Sequence, residues 1–192
     1  MAEFENFGFY TVDVDYLQFL NSRDSEVYYN SSYRTAVKPF EGIVVDLGGF
    51  KYFIPLTSAK EKHVKWKNSC NEHFLVYEVM DRSIEIEGDI YKPYSNDKKM
   101  HILSVLDLKK MIPVPPDSYD RIIFDQLEDK RYQDLFEKEY RFCLTIKQKI
   151  LDRAEKIYTH QKETHLVRRT YCNFSCCENA LTEWLRDKKT RE

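Results

Sequence analysis

The chain has 192 residues, a formal net charge of −2, 32% charged residues and 15% aromatic residues. This length fits one compact domain, and no stretch approaches the roughly 20 apolar residues that span a bilayer, so we expect a soluble protein. A net charge this close to zero excludes nucleic-acid binding through the charge of the whole molecule. Any nucleic-acid site must therefore be local.

The N-terminal residues 1–6 are acidic and lack the basic start and apolar stretch of a secretory signal, which predicts a cytoplasmic protein with reduced cysteines. Among the five cysteines there is no repeated CxxC pair, so we predict no metal and no cofactor. The nearest candidate metal set is Cys172, Cys176 and Cys177 with His160 or His165. Its simpler interpretation is a group of small apolar side chains that pack a terminal element.

In chain order, the pattern predicts a strand over residues 9–12 and a short helix over 15–20, then a polar, tyrosine-rich loop over 21–38. Two β-rich runs, 42–46 and 51–54, flank Gly48 and Gly49, which can take the positive φ that a tight hairpin requires. Further strands of the same sheet are predicted at 73–79 and 104–114, with a turn-rich stretch between them.

Beyond Pro116 the apolar residues recur with a period of about 3.6, first over 119–127 and then over 135–157. We therefore predict two helices: Ser118 or Asp117 caps the first, Tyr132 lies near the break, and the second reaches about His160. A last helix over 175–186 should dock on the body, giving a single domain over residues 1–187 and a frayed tail over 188–192.

Two stretches differ sharply in charge. Residues 117–139 carry eight acidic and four basic side chains, which would repel phosphate and are most simply a solvated outer surface.

Residues 60–67 carry four lysines and one glutamate, with His63 and Trp66 between the lysines. Cations and stacking rings together are typical of single-stranded RNA recognition, and the alternative is a solvated lysine-rich turn. The RNA-binding prediction covers Lys62, His63, Lys65, Trp66 and Lys67.

The strand that begins at residue 51 ends abruptly in Thr57, Ser58 and Lys60, which places two hydroxyls and a lysine on a rigid strand end. Cleaving RNA without a metal requires the ribose 2′-hydroxyl to attack phosphorus while another group stabilises the added negative charge. Because residues two apart in an extended segment face the same side, Ser58 and Lys60 can converge on one phosphate. Taken alone, the motif also fits a hydroxyl-capped turn with an exposed lysine.

With these motifs in place, the chain resembles the ToxN/AbiQ family, the endoribonuclease toxins of type III toxin-antitoxin systems. The resemblance covers most of the chain, in order: residues 9–12 with Tyr16 and Leu17, residues 40–44 leading to 52–60, residues 106–114 and residues 172–174. The most specific strings are Pro-Leu-Thr-Ser-x-Lys at 55–60 and Met-Ile-Pro-Val at 111–114.

The resemblance implies an α+β fold with a PemK/MazF-like core, in which a twisted antiparallel sheet closes toward an SH3-like barrel and several helices are added. It implies metal-independent RNA cleavage that leaves a 2′,3′-cyclic phosphate and a 5′-hydroxyl. It also implies inhibition by a repetitive, pseudoknotted RNA antitoxin in a multimeric toxin-RNA assembly, and a role in abortive phage defence.

The resemblance assigns Thr57, Ser58 and Lys60 as the catalytic set and a tyrosine from the loop before Gly42 as a substrate contact. Tyr33 fits that place best, and Tyr29 remains an alternative. Asp107 stands where the family is expected to have asparagine, and a carboxylate near bound phosphate is unfavourable unless it points away or pairs with a lysine. The segment 81–99 is longer than the family minimum, which would change the rim of the groove and the choice of antitoxin.

Two other hypotheses remain from the residues themselves. A non-catalytic RNA-binding module would keep the lysines and aromatic rings but would not depend on Ser58 or Lys60. A Ser-Lys hydrolase would need an unprotonated Lys60 and an oxyanion hole, and the sequence has neither a G-x-S-x-G elbow nor an S-x-x-K helix start.

Overall fold

The computed structural model describes residues 3–4, 7–34 and 41–191, which form an α+β fold with an antiparallel sheet, as predicted. The strands are β1 (Glu3–Phe4), β2 (Tyr10–Val12), β3 (Glu41–Leu47), β4 (Phe50–Ser58), β5 (His73–Asp81), β6 (Ile90–Pro93), β7 (Lys98–Asp107), β8 (Ile112–Pro113) and β9 (Tyr119–Arg121). The helices are α1 (Val14–Arg23), α2 (Lys130–Thr145), α3 (Lys147–Thr164) and α4 (Phe174–Arg191).

The sheet runs in the order β5-β7-β4-β3-β2-β9, with β1 paired to β3, β6 to β7 and β8 to β4. Since β5 and β9 do not pair with each other, the sheet is open in the part of the chain that the structure describes. The expected closure into an SH3-like barrel is therefore not seen. Among the described residues, no helix is both long and apolar enough to cross a membrane.

The β3–β4 hairpin forms as predicted and fixes the strand that ends at Ser58. Gly48 and Gly49 have φ values of 58° and 85°, and the strands pair from Leu47↔Phe50 to Glu41↔Leu56. A β-carbon on Gly48 would lie 2.2 Å from the Tyr158 hydroxyl, so this position needs glycine for its space as well as for its φ. The turn therefore brings α3 directly onto the hairpin.

A buried carboxylate joins β4 to the helices beneath it. Glu178 of α4 accepts hydrogen bonds from the hydroxyls of Tyr52 (2.8 Å) and Tyr158 (3.0 Å) and pairs with Lys162. Burial, followed by the charge of Glu178, holds the pKa of the Tyr52 hydroxyl well above its usual value, so this hydroxyl remains a donor. The carboxylate links three elements and keeps β4 in a fixed position on α3 and α4.

The helix predicted over residues 119–127 is wrong. Residues Tyr119–Arg121 form β9, which pairs with β2 in the register Tyr10↔Arg121, and the Ile122 N–H continues the pairing by donating to the Phe9 carbonyl at 2.8 Å. Only Phe124–Gln126 makes a short 3-10 turn. Pairing with a strand more than a hundred residues away overrides the local helical period.

The break between the two long helices is also misplaced in the prediction. Tyr132 lies in the first turn of α2, and the chain breaks instead at Ile146, which has φ −116° and ψ 14°. The predicted strand over 104–114 is divided between β7 and β8 by a 3-10 turn at Leu108–Lys110.

The C-terminal helix is longer than predicted. α4 extends to Arg191, past the predicted end at residue 186, and Lys188 pairs with Asp117. Two parts of the prediction lie outside the described residues: residues 35–38 of the loop, together with residues 39 and 40 that follow it, and Glu192 of the tail.

Candidate nucleic-acid interface

The end of β4 presents a hydroxyl and an ammonium group to solvent. Ser58, the last residue of β4, pairs with Ser104 of β7, and Lys60 follows in extended conformation with φ −142° and ψ 155°. Both Ser58 and Lys60 are exposed. Because side chains alternate along an extended chain, we expect Ser58 and Lys60 to face the same side, and this stays a prediction.

Thr57 lies one position earlier, on the opposite face of β4 from Ser58. Its side chain is half-buried, and its hydroxyl lies 3.5 Å from the Val105 carbonyl of β7, a distance typical of a weak hydrogen bond. Ser58 and Lys60 are thus both at the surface, whereas the Thr57 hydroxyl lies near the neighbouring strand.

A hydrogen bond from the backbone of Lys60 to the side chain of His63 fixes the segment after β4. The Lys60 N–H donates to His63 Nδ1 at 3.0 Å, and the His63 N–H donates to the Lys60 carbonyl at 2.8 Å, at the start of the 3-10 turn Glu61–Lys65. A backbone N–H can only donate, so Nδ1 is the acceptor and Nε2 carries the ring hydrogen. His63 is buried, with only 3% of its surface exposed.

The environment of His63 keeps its ring neutral at pH 7. Burial, and then the positive charges of Lys62 and Lys60, lower the pKa of His63 to about 4. The ring therefore remains an acceptor for the Lys60 N–H across the neutral range. A histidine that the sequence predicts as an RNA ligand lies inside the turn that carries Lys60.

Trp66 lies between two histidine rings in the basic run. Its ring centroid is 4.6 Å from that of His63 and 4.6 Å from that of His73, and the Lys62 ammonium lies 5.5 Å from the centroid.

The basic run is also attached to β6. The Trp66 carbonyl accepts a hydrogen bond of 2.6 Å from Lys92, which the sequence does not single out. Lys65 and Lys67 are exposed on the same segment. These contacts hold the basic run against the sheet and leave its charges in solvent.

His73 also contacts Cys70, and the sequence gives no local sign of this pair. The Cys70 Sγ lies 3.1 Å from His73 Nδ1, and His73 Nε2 lies 3.0 Å from the Lys67 carbonyl, so Nε2 carries the hydrogen. An open cavity of about 290 Å³ lies beside them. It is lined by Trp66, Lys67, Cys70, Glu72, His73 and Lys109.

Asp107 points away from solvent, which removes the conflict with bound phosphate. Its carboxylate is 4% exposed and accepts a 2.8 Å hydrogen bond from the Tyr28 hydroxyl. Burial raises the pKa of Asp107, while the Tyr28 hydrogen bond and the charges of Lys109 and Lys110 act in the opposite direction. Asp107 therefore fixes the tyrosine-rich loop to the end of β7.

The structure locates the two candidate tyrosines differently. Tyr29 is half-buried and packs against the core. Tyr33 belongs to the 3-10 turn Ser31–Arg34, and its side chain lies outside the described residues. Tyr28, which the sequence does not single out, is the tyrosine of this loop that contacts Asp107.

The cysteines of the candidate metal set are largely internal. Cys172 and Cys177 are fully buried in the main hydrophobic core, and Cys176 is half-buried. Burial is the main cause that raises the pKa of the Cys172 and Cys177 thiols. In the described ranges, no group of three or more His, Cys, Asp or Glu side chains is arranged to hold a metal ion.

Comparison with known proteins shows that most of this chain matches one protein family. The family model for the toxin ToxN of type III toxin-antitoxin systems matches residues 8–182. Among curated relatives, the endoribonuclease ToxN of Bacillus thuringiensis subsp. kurstaki is 24% identical, with 100% of this chain and 91% of the relative covered. The endoribonuclease AbiQ of Lactococcus lactis subsp. lactis is 27% identical, with 88% and 81% covered.

Solved structures show the same fold. One, from work on a processed non-coding RNA that regulates a bacterial antiviral system, has a TM-score of 0.70 at 22% identity, covering 92% of this chain and 98% of the other. A second, from work on selective toxin inhibition by a non-coding RNA pseudoknot, has a TM-score of 0.67 at 21% identity, covering 94% and 98%. Since the family model spans nearly the whole described chain, this protein belongs to the ToxN family of type III toxin-antitoxin toxins.

Proposed function

We propose that this protein is a metal-independent, sequence-preferring endoribonuclease toxin. The observation that carries the proposal is the pair Ser58 and Lys60, both exposed at a strand end whose position is fixed by β7 on one flank and by His63 on the other. The relatives named as endoribonucleases are 24% and 27% identical over most of this chain, which supports the same activity here.

In the proposed reaction, the ribose 2′-oxygen attacks the adjacent phosphorus, and the bond from phosphorus to the 5′-oxygen breaks. The 2′-hydroxyl loses its proton and the leaving 5′-oxygen gains one, which gives a 2′,3′-cyclic phosphate and a 5′-hydroxyl. Negative charge grows on the nonbridging oxygens as the new bond forms, and the Lys60 ammonium stabilises it while the Ser58 hydroxyl donates a hydrogen bond. Thr57 is the third member of the proposed catalytic set, and its hydroxyl can donate a hydrogen bond to the scissile phosphate in place of its 3.5 Å contact with the Val105 carbonyl.

The remaining predicted residues bind the RNA strand. Lys62, Lys65 and Lys67 contact phosphates, and Trp66 offers an aromatic surface at the groove. His63 acts as a positioning residue for Lys60 because its only ring nitrogen with a lone pair already accepts the Lys60 N–H. Tyr33 remains the preferred substrate contact from the loop, with Tyr29 as the alternative.

The same surface is proposed to bind an RNA antitoxin. The solved relatives come from work on a regulatory non-coding RNA and on toxin inhibition by an RNA pseudoknot, and both have the fold of this chain. We infer that a repeat-derived pseudoknot inhibits this toxin in a multimeric assembly, in the cytoplasm, as part of abortive phage defence. We also propose that the open sheet is a variant of the PemK/MazF-like core, which superposition on those proteins would test.

The test is single-turnover RNA cleavage by Ser58→Ala and Lys60→Ala. Loss of a preorganised donor to a developing oxyanion costs about 2.7–4 kcal/mol, or roughly 100- to 1000-fold in rate. Lys130→Ala, in the acidic stretch at the start of α2, is the matched control and should cut at the parent rate. If both active-site variants cut within about threefold of the parent, which is only about 0.65 kcal/mol of barrier, the catalytic assignment is wrong.

The same experiment separates the enzyme from a non-catalytic RNA-binding module. A module would bind RNA without cutting it, and the purified parent would lack activity on every RNA tested. Lys60→Arg should restore only part of the lost rate, because a planar guanidinium keeps the charge but not the position of the ammonium.

A further inference from the structure

The chain carries a second basic stretch that the active site does not use. Residues 147–169, which include α3, have seven basic and three acidic side chains, in contrast to the acidic excess of residues 117–139. A cavity of about 220 Å³ opens between α3 and the chain that follows it. It is lined by Asn71, Arg153, Lys156, Ile157, His160, Gln161, Leu166, Arg168 and Tyr171. These lining residues include no carboxylate, although Glu72 hydrogen-bonds with the side chain of Tyr171.

The wall of this cavity is preformed. His165 ends α3 in the left-handed region with φ 57°, and Thr170 has φ 70°, so the chain turns back along the helix. Gln161 is buried and uses both ends of its amide, donating to the Cys172 carbonyl at 3.1 Å and accepting from the Phe174 N–H at 2.7 Å. The loop is thereby fixed to α4, and a ligand would pay little ordering entropy to enter.

The chemistry of the lining fits one nucleotide. Lys156 and Arg168 are exposed cations, Ile157 and Leu166 supply apolar surface, and Tyr171 adds an aromatic ring. Leu166 is 66% exposed, so its side chain is accessible to a ligand in the cavity. Cations beside an apolar and aromatic floor are what a phosphate and a stacked base require. A volume of 220 Å³ is also below the roughly 300–1,000 Å³ of sites for drug-sized ligands and suits a single base.

The cavity lies next to the proposed RNA-binding surface, across the turn 70–73. Arg153 donates to the Cys70 carbonyl at 2.6 Å, and its guanidinium carbon lies 4.2 Å from the centroid of the Phe74 ring. Cys70 and His73 line the other cavity, beside Trp66 and Lys67, whereas Asn71 lines this one. Consecutive residues of the turn 70–73 therefore line the two cavities. Glu72 is the carboxylate at the junction, and Lys109 pairs with it at 3.5 Å.

We propose that the α3 cavity is a second RNA subsite, which binds a nucleotide of a single strand that continues from the Ser58 and Lys60 site past Trp66. The proposal rests on the proposed function and extends it. The subsite holds RNA away from the scissile bond, so it contributes to affinity for long RNA and to the choice of flanking sequence.

The test compares a short RNA that covers only the cleavage sequence with the same sequence extended on both sides. The variant is Lys156→Ala/Arg168→Ala, in which both side chains are exposed and the fold should be retained, as a thermal melt by circular dichroism would verify. The matched control is Lys130→Ala/Arg141→Ala on α2, which removes the same charge from exposed positions elsewhere. The ratio of affinities for long and short RNA should be about tenfold lower in the variant than in the parent, the loss expected when about 1.4 kcal/mol of binding is removed. In the control this ratio should equal that of the parent.

A second measurement uses binding alone, so that it does not depend on cleavage. On a Lys60→Ala background, the slope of log K against log salt for the long RNA should become shallower by about 0.7, the contribution of the one phosphate contact with a single strand that the variant loses. Equal losses on short and long RNA, an unchanged salt slope, or an equal effect of the control would each overturn the subsite. A parent that binds but never cuts would instead refute the proposed function and leave this measurement valid.

Discussion

The hydrogen bond between the Lys60 N–H and His63 Nδ1 predicts a specific acid sensitivity. Protonation of His63 would place a hydrogen on Nδ1, remove the acceptor and put a positive charge beside Lys60 and Lys62. The structure resists this, since the pKa of His63 is about 4 against an ordinary 6.5. The useful perturbation is His63→Asn, because the Asn Oδ1 can accept the Lys60 N–H and does not titrate.

The sign and size of the effect follow from linkage. Because the folded-state pKa lies below the ordinary value, the unfolded chain takes up a proton first as the pH falls, and stability rises with pH between about 4 and 6.5. The stability that the neutral His63 ring contributes is therefore fully present above pH 6.5 and is lost as the pH falls toward 4. The two pKa values give an upper limit of about 2.5 kcal/mol at pH 4.5, and solvent screening brings the expected loss to about 1–2.5 kcal/mol.

The assay is urea unfolding of the parent and His63→Asn at several pH values between 4.5 and 7.5. His63→Asn should be less stable than the parent at pH 7.5, since it loses the ring contact with Trp66, but its free energy of unfolding should fall less toward pH 4.5. His160→Asn, an exposed histidine, is the control and should follow the parent. Identical pH dependence in the parent and His63→Asn would refute the reasoning.

Three further outcomes are expected. Purified protein should cut RNA in excess EDTA, because Lys60 can supply the positive charge; chelator-sensitive cleavage restored by a divalent metal would count against this. Lys65→Ala should weaken RNA binding and make the salt slope shallower by about 0.7, one single-strand phosphate contact, in a fluorescence anisotropy titration. Asp107→Asn should raise the free energy of unfolding at pH 7. Because the pKa of Asp107 is raised in the folded protein, ionisation of this buried carboxyl with rising pH lowers the stability of the parent, and Asn does not ionise. The stability gain of Asp107→Asn over the parent should therefore shrink toward pH 3, as measured by chemical denaturation.

The features that the sequence predicts correctly depend on residues close together in the chain. Gly48 and Gly49 specify the hairpin because the turn needs positive φ at both positions. The end of β4 at Ser58 follows from the change from apolar residues to two hydroxyls and a lysine. Neither inference needs knowledge of what packs against the segment.

The features that the sequence does not predict depend on distant partners. β9 forms because β2 offers it a pairing edge, although its own apolar period is helical. The Tyr28 and Asp107 pair joins residues 79 positions apart, and no local pattern indicates it. His63 lies in a basic run typical of a solvated turn, yet it is buried and packs on Trp66, which in turn contacts His73 at the start of β5.

The main path of the open sheet ends at β5 and β9, and each of these two strands is a potential site for strand addition by another copy. β9 has only three residues, and Asp120 and Arg121 on it are exposed and charged. On β5, Glu78 pairs with Lys138 of α2 at 3.2 Å, and a bridge between Ser69 and Phe74 covers the start of the strand. Short length, charge and covering are the means by which natural sheets discourage edge-to-edge association. Contacts between copies through these two strands are thus disfavoured, which fits the proposal that RNA, and not pairing of sheets, joins the copies of this toxin.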